Sequence, residues 1–85
     1  MTLPASIVVL KNRIVQNQEQ VLKHSAEIKD LFTSKSVMLN ESNNVYTPAI
    51  YDIENQVNRL FDLKSKLESS VRNDTAEVLK QILAY

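Results

Sequence analysis

The side chains that could do chemistry in this sequence are one histidine, His24, and carboxylates spread along the second half of the chain. Catalytic and metal sites need several such groups converging in a pocket, and a zinc cluster needs several Cys or His ligands. The chain has no Cys and a single His. Of its ten Asp and Glu residues, five in the second half stand at helical positions among Lys and Arg, which is typical of a solvated helix face. These five are Asp52, Glu54, Glu68, Asp74 and Glu77. We therefore expect a protein that is not an enzyme, with no cofactor and no metal site.

The charge balance gives no reason to expect nucleic acid as a partner. Ten Lys and Arg balance ten Asp and Glu, whereas a nucleic-acid-binding domain carries a basic patch. The apolar run from Ile7 to Leu10 is too short to span a membrane and lacks the basic segment of a signal peptide. We expect no membrane insertion and protein partners that are met through apolar surface. The chain should be cytoplasmic, or exported without a cleaved signal peptide.

The absence of glycine indicates long helices. An average chain of 85 residues would contain roughly six glycines. Hairpin-rich β structure and phosphate-binding loops both need glycine for positive φ or close backbone approach. A single domain of this size buries little apolar surface unless it packs unusually well or a partner adds to its core.

The first half of the chain follows a heptad pattern. Pro4 suits the first turn of a helix, with Thr2 or Leu3 near its cap. Steps of three and four residues then give a seam of ten positions, seven of them apolar. Two polar members, Asn17 and His24, are interpreted as residues that set the register of packing. The seam consists of Ile7, Leu10, Ile14, Asn17, Val21, His24, Ile28, Leu31, Lys35 and Met38.

The second half repeats the pattern after Pro48. Between Leu67, Val71 and Thr75 the step is four residues twice in succession, which predicts a stutter that locally unwinds a left-handed coil. Other apolar residues lie beside this seam and widen it, as expected for a helix in a bundle of three or more. The second seam consists of Ile50, Ile53, Val57, Leu60, Lys64, Leu67, Val71, Thr75, Val78, Ile82 and Tyr85.

The segment between the halves predicts a turn. Asn40, Asn43 and Asn44 are the residue type that best tolerates left-handed backbone where glycine is absent. Thr47, directly before Pro48, suits the cap of a second helix. A connector this short folds the second helix back antiparallel on the first.

These patterns predict an all-α fold, an antiparallel two-helix hairpin that resembles a coiled coil. It forms one unit over residues 1–85, with a helix at about 4–39, a loop at about 40–47 and a helix at about 48–84. Each arm should be about 50 Å long. In the antiparallel register, His24 should lie near Lys64 and Leu31 near Val57, to within a turn.

A hairpin of two helices has only two layers, so it leaves apolar rows on its outside. We expect it to complete a four-helix bundle with a partner or a second copy. The residues expected in the hairpin seam are Ile14, Val21, Ile28, Leu31, Val57, Leu60 and Leu67. The residues expected at the partner interface are Val8, Val15, Leu22, Phe61, Leu79 and Leu83.

The whole chain resembles the small helical-hairpin proteins of type VII secretion systems, the ESAT-like family and the partners of LXG-domain toxins. The similarity lies in two long helices, a polar loop at mid-chain and a final helix that reads "LESSVRNDTAEVLKQILAY". The resemblance implies an adaptor that pairs with the helical part of a toxin and helps to present it for export. The Trp-x-Gly turn and the acidic tail signal of the main family are missing, which implies a partner without its own export signal.

Two alternatives fit the same features. The stretches "TPAIYDIENQV" and "SSVRNDTAEVLKQIL" are similar to the needle subunits of type III secretion systems, which polymerise into filaments. The regular first helix from Pro4 argues against that class, because needle subunits begin with a looser polar segment. The third interpretation is a coiled-coil subunit of some larger assembly.

Overall fold

The computed structural model describes residues 4–84 and confirms the all-α hairpin. Helix α1 spans Ala5–Glu41 and helix α2 spans Pro48–Ala84, each 37 residues long. The two helices pack along their length into a rod of 63 × 15 × 14 Å. The capping residues proposed for the first helix, Thr2 and Leu3, and the seam member Tyr85 lie outside the described residues.

The register of the hairpin is fixed by side-chain hydrogen bonds between the helices. Three hydrogen-bonded pairs follow one another along the rod. From the first pair to the second, the residue number rises by seven on α1 and falls by seven on α2; from the second pair to the third, it rises and falls by four. Continued from Asn17, the same steps bring His24 to the level of position 63, one residue from Lys64 as predicted. The three pairs are Ser6 with Gln81, Arg13 with Asp74, and Asn17 with Ser70.

The core between the helices is small. Every position of the first predicted seam, from Ile7 to Met38, is buried or half-buried. Full burial, however, is rare among apolar side chains, and Ile50 at the loop end is the most enclosed with no exposed surface. The buried apolar residues of the described chain are Ile7, Ile28, Ile50 and Val57. A hairpin with so few buried side chains gains little hydrophobic stabilisation from its own core.

The prediction of a stutter in α2 is wrong. Thr75 is exposed, and Asp74 beside it is buried with 6% of its surface accessible. Farther on, Gln81 is half-buried while Ile82 is 49% exposed. The second seam therefore keeps regular heptad steps through Asp74 and Gln81. Both polar side chains find partners on α1, which is why the helix can turn them inward.

The turn is built without glycine by two asparagines in the left-handed region. Asn43 has φ 54° and Asn44 has φ 64°. The Asn44 N–H donates to the Leu39 carbonyl at 2.7 Å, and the Asn43 N–H donates to the Asn40 carbonyl at 3.4 Å. This pair of bonds is a Schellman motif with Asn43 in the position that usually holds glycine. The motif carries α1 to Glu41, beyond the end expected near Leu39.

Both helices begin at residues that the sequence marks as starts. The Ile50 N–H donates to the Thr47 carbonyl at 3.0 Å and lies 3.4 Å from the Thr47 hydroxyl, so Thr47 caps α2 as expected. At the other start, the Pro4 carbonyl accepts from the N–H of Ile7 at 3.0 Å, and Ala5 is the first helical residue. Pro4 therefore stands at the cap and not inside the first turn.

Candidate interaction surface

Exposed apolar side chains gather on one long side of the hairpin, which we call the apolar face. On α1 each of these side chains lies one or four residues after a buried or half-buried seam residue. On α2 they stand at the same spacing from the residues of the second seam. Because residues three, four and seven apart share one side of a helix, each helix contributes a continuous strip. The apolar face consists of Val8, Val15, Leu22, Phe32, Tyr51, Phe61, Leu79 and Ile82, each 45 to 71% exposed.

Two grooves between the helices show that the strips lie on the same side. In one groove, Gln18 and Leu22 of α1 lie opposite Glu68 and Arg72 of α2. The other groove is lined by Phe32 and Lys35 of α1 and by Glu54, Val57, Asn58 and Phe61 of α2. The rings of Phe32 and Phe61 pack with centroids 6.4 Å apart, a favourable tilted contact that leaves each side chain 45% exposed.

The opposite side of the hairpin carries fewer large exposed apolar side chains. A third groove lies there, lined by Leu31, Leu60 and Leu63 together with Glu27, Asp30, Gln56 and Arg59. The exposed large apolar residues on that side are Val9, Val37 and Leu63. The difference matters because an apolar patch rimmed by charged residues marks an interaction surface, whereas single exposed apolar side chains are normal.

All six residues expected at the partner interface are exposed, and five of them lie on the apolar face. Leu83, the sixth, is 87% exposed and points away from both the seam and the apolar face. Three members of the face, Phe32, Tyr51 and Ile82, were not among the residues expected at the interface. Phe32 lies four residues after the seam residue Ile28, a spacing that could have identified it. Ile82 was assigned to the seam because of the supposed stutter.

The seven residues expected in the hairpin seam face the other helix. Ile28 and Val57 are buried, with 6% and 5% of their surface accessible. The other five are half-buried. They are Ile14, Val21, Leu31, Leu60 and Leu67.

An ion pair closes the seam near the chain ends. The Arg13 Nε donates to Asp74 Oδ2 at 2.7 Å, and Arg13 Nη2 donates to the second oxygen, Oδ1. These hydrogen bonds hold the pKa of the Asp74 carboxyl below its ordinary value of 3.8; burial acts against the shift, and the charge of Arg13 adds to it. The expectation that Asp74 stands on a solvated face is therefore wrong. Its partner is 61 residues away, and only the folded register brings the two together.

A second charged cluster lies at the loop end. Lys35 Nζ is 2.8 Å from Glu54 Oε1 and 5.5 Å from the centre of the Tyr46 ring. Hydrogen bonding to Lys35 is the main cause that lowers the pKa of Glu54 below its ordinary value of 4.5. Tyr46 in turn packs against Tyr51 with ring centroids 5.4 Å apart. Lys35 thus enters the seam with both its charge and its hydrophobic stem accommodated.

The middle of the hairpin has the least satisfied polar residue. The His24 side chain is 16% exposed, and its Nδ1 is buried without a hydrogen bond. The nearest acidic oxygen is Glu27 Oε1 at 3.6 Å, too far for a good bond. His24 thus lies half-buried in the seam between the helices, at a position where the sequence pattern predicts a seam residue.

Across residues 4–84, no group of three or more His, Cys, Asp or Glu residues could hold a metal ion. Neither α1 nor α2, over the same residues, is long and apolar enough to cross a membrane. No family model, curated protein or solved structure matches this chain.

Proposed function

We propose that the protein is a non-enzymatic interaction module that packs its apolar face against another helical layer to complete a four-helix bundle. The single observation that carries the proposal is the concentration of exposed apolar side chains on one side of a hairpin whose own core is small. A two-layer rod gains the apolar burial that it lacks when a second pair of helices covers this side.

The distribution of the apolar residues favours a closed complex over a filament. An open filament needs two different complementary surfaces on each subunit, because every copy contacts one neighbour ahead and one behind. Eight large exposed apolar residues of the described chain lie on the apolar face, whereas three, Val9, Val37 and Leu63, lie on the opposite side. One face suits one partner layer. This supports an adaptor over a needle-like subunit.

Within this class, we propose that the biological partner is a helical segment of an exported protein. The support for this finer role is the resemblance to the hairpin partners of type VII secretion substrates. The apolar face fits the role because helix packing requires only an apolar strip of matching length, with charged residues at its rim.

Two matched aspartate substitutions test the interaction module. Leu31→Asp places a charge in the half-buried seam and should destabilise the hairpin by about 3 kcal/mol or more. Val15→Asp places the same charge on the apolar face, where Val15 is 45% exposed, and should preserve helicity while it abolishes association. Circular dichroism and light scattering read the two effects separately. Equal loss of helicity in both variants, or unchanged association in Val15→Asp, would contradict the proposal.

A further inference from the structure

We propose that the helical layer which binds the apolar face carries acidic side chains along its rim. This inference rests on the proposed function and names the chemistry of the partner for the same surface. It follows from the charged residues that flank the apolar face, because their net charge is positive although the chain as a whole has a formal net charge of zero. The apolar residues alone would fit many helical layers, and the charges select among them.

Three of the charged residues that flank the apolar face are cations outside every ion pair of residues 4–84. They are exposed and stand at the spacing of the apolar residues, one or four residues after a seam residue. Residues at this spacing share one side of a helix. Arg72 also lines the same groove as Leu22 and donates a hydrogen bond to the Ser69 hydroxyl at 3.3 Å. The three cations are Lys11, Lys29 and Arg72.

The two carboxylates on this side are already neutralised within the hairpin. Lys35 Nζ lies 2.8 Å from Glu54 Oε1, and Lys64 Nζ lies 3.8 Å from Glu68 Oε1. Both lysines come from the seam and reach the side on which the glutamates stand. With these pairs included, the side carries five cations and two carboxylates, a net charge of +3. Because the whole chain is neutral, the other sides of the hairpin have a net negative charge.

A partner layer with carboxylates at its rim matches these charges. The aliphatic stems of Lys and Arg lie along apolar surface while their charged ends reach its edge. Opposite charges that meet there steer the encounter and favour the right partner, whereas like charges that meet are penalised. A second copy of the hairpin covers the apolar residues but sets one positive face against another. It is therefore a weaker partner than an acidic layer.

The same charges do not suit an anionic membrane surface. Basic segments that bind such surfaces gather about four to eight Lys and Arg in one cluster. Here the excess of positive charge is distributed along a rod of 63 Å, and the net charge of the other sides is negative. A helical protein layer contacts the apolar face and its rim, so it meets the positive side alone.

A charge-reversed copy of the chain serves as the acidic probe. The triple variant Lys11→Glu/Lys29→Glu/Arg72→Glu keeps the apolar residues and turns the net charge of this side from +3 to −3. A labelled wild-type chain is titrated with the probe and, separately, with unlabelled wild type, and fluorescence anisotropy gives each dissociation constant. Circular dichroism verifies that the probe remains helical.

The matched control changes the same number of charges on the other sides of the hairpin. Lys23→Glu/Lys66→Glu/Lys80→Glu alters three exposed lysines that stand two residues after a seam residue. The titrations are made at about 0.1 M salt, where the Debye length of about 10 Å is shorter than the rod thickness of 14 to 15 Å. Charges on the far side then contribute little to binding at the apolar face.

The salt dependence of wild-type self-association gives a second test that needs no variant. Two positive faces repel each other, and added salt screens the repulsion. The dissociation constant of wild type from itself should therefore fall as sodium chloride rises from about 0.05 M to about 0.5 M. A dissociation constant that rises with salt would contradict the positive face.

The probe should bind labelled wild type about tenfold or more tightly than unlabelled wild type does, and the control should gain less than about threefold. An equal gain in both variants, or no gain for a helical probe while wild type binds itself, would overturn the acidic partner and leave the proposed function standing. Tighter binding to vesicles of phosphatidylcholine and phosphatidylserine than to the probe would overturn it in favour of a membrane. A labelled chain that stays a cooperatively folded monomer with every titrant would contradict the proposed function as well.

Discussion

Arg13 and Asp74 form a two-pronged ion pair across the helices near the chain ends, with Arg13 Nε 2.7 Å from Asp74 Oδ2. The side chains differ in exposure, 54% for Arg13 and 8% for Asp74. The carboxylate thus occupies a seam position, and the guanidinium reaches over it from the edge. Such a pair fixes the register strongly, because sliding one helix by a turn would leave a buried carboxylate without its partner.

The pair predicts an acid-sensitive contribution to stability. The pKa of Asp74 is lowered in the folded state, so the stabilisation is present above the ordinary value of 3.8 and is lost as pH falls through the lowered pKa. Denaturant unfolding of Asp74→Asn should therefore show a shallower loss of stability below about pH 4 than the wild type. Asp62→Asn, which removes an exposed carboxylate of α2, is the control. Parallel curves for wild type and Asp74→Asn would contradict the prediction.

The left-handed turn predicts a contrast between two neighbouring asparagines. Asn43→Ala should destabilise the hairpin by roughly 1–2 kcal/mol, the cost of holding an alanine in left-handed backbone. Asn43→Gly should be neutral or slightly stabilising, because glycine has no Cβ to clash there. Asn40→Ala, inside α1, should change little. Thermal unfolding followed by circular dichroism measures all three, and equal effects of Ala at 40 and 43 would contradict the turn geometry.

The small core predicts an uneven response to truncation. Ile50 is fully enclosed, and Ile50→Ala should cost about 2–5 kcal/mol of stability, from lost transfer free energy and the cavity left behind. Leu83→Ala, at the most exposed large apolar residue described, should stay within about 0.5 kcal/mol. Urea unfolding of the two variants gives the comparison. Similar losses at both sites would mean that the outward side of α2 is covered in solution.

Much of the fold follows from local patterns in the sequence. The heptad seam of α1, the asparagines of the turn and the Thr47 cap depend on residues that lie within a few positions of one another. These signals fix where the helices end and which way the chain turns. The antiparallel register followed from the short connector, and the hydrogen bond between Asn17 and Ser70 agrees with it to within a residue.

The features that the sequence pattern did not predict depend on contacts between distant parts of the chain. A seam that continues through Asp74 contradicts the rule that charges stay outside, unless Arg13 is known to lie across from it. The prediction took the neutral Thr75 as the seam residue instead of Asp74, which introduced the stutter. The stutter in turn moved Ile82 into the predicted seam. The same misplacement hid part of the apolar face. Sequence periodicity alone could not correct it, because the neutralising partner comes from the other helix.

The apolar face predicts a matched pair of association variants. Phe61→Asp should raise the dissociation constant of the complex roughly tenfold or more, since a central aromatic residue usually contributes strongly to an interface. Leu83→Asp adds the same charge on the outward side of α2 and should leave the mass unchanged. Sedimentation equilibrium measures both. Dissociation caused by Leu83→Asp and not by Phe61→Asp would place the interface on the other side of the hairpin.

The most direct test of the central claim is the solution mass of the wild-type chain, measured by size-exclusion chromatography with light scattering over a wide range of concentration. Association through one apolar face predicts a discrete, highly helical species of twice the chain mass of 9.7 kDa, which dissociates only on dilution. A cooperatively folded monomer at every concentration would contradict the claim. So would a polymer that keeps growing with concentration, because one face can accept only one partner layer.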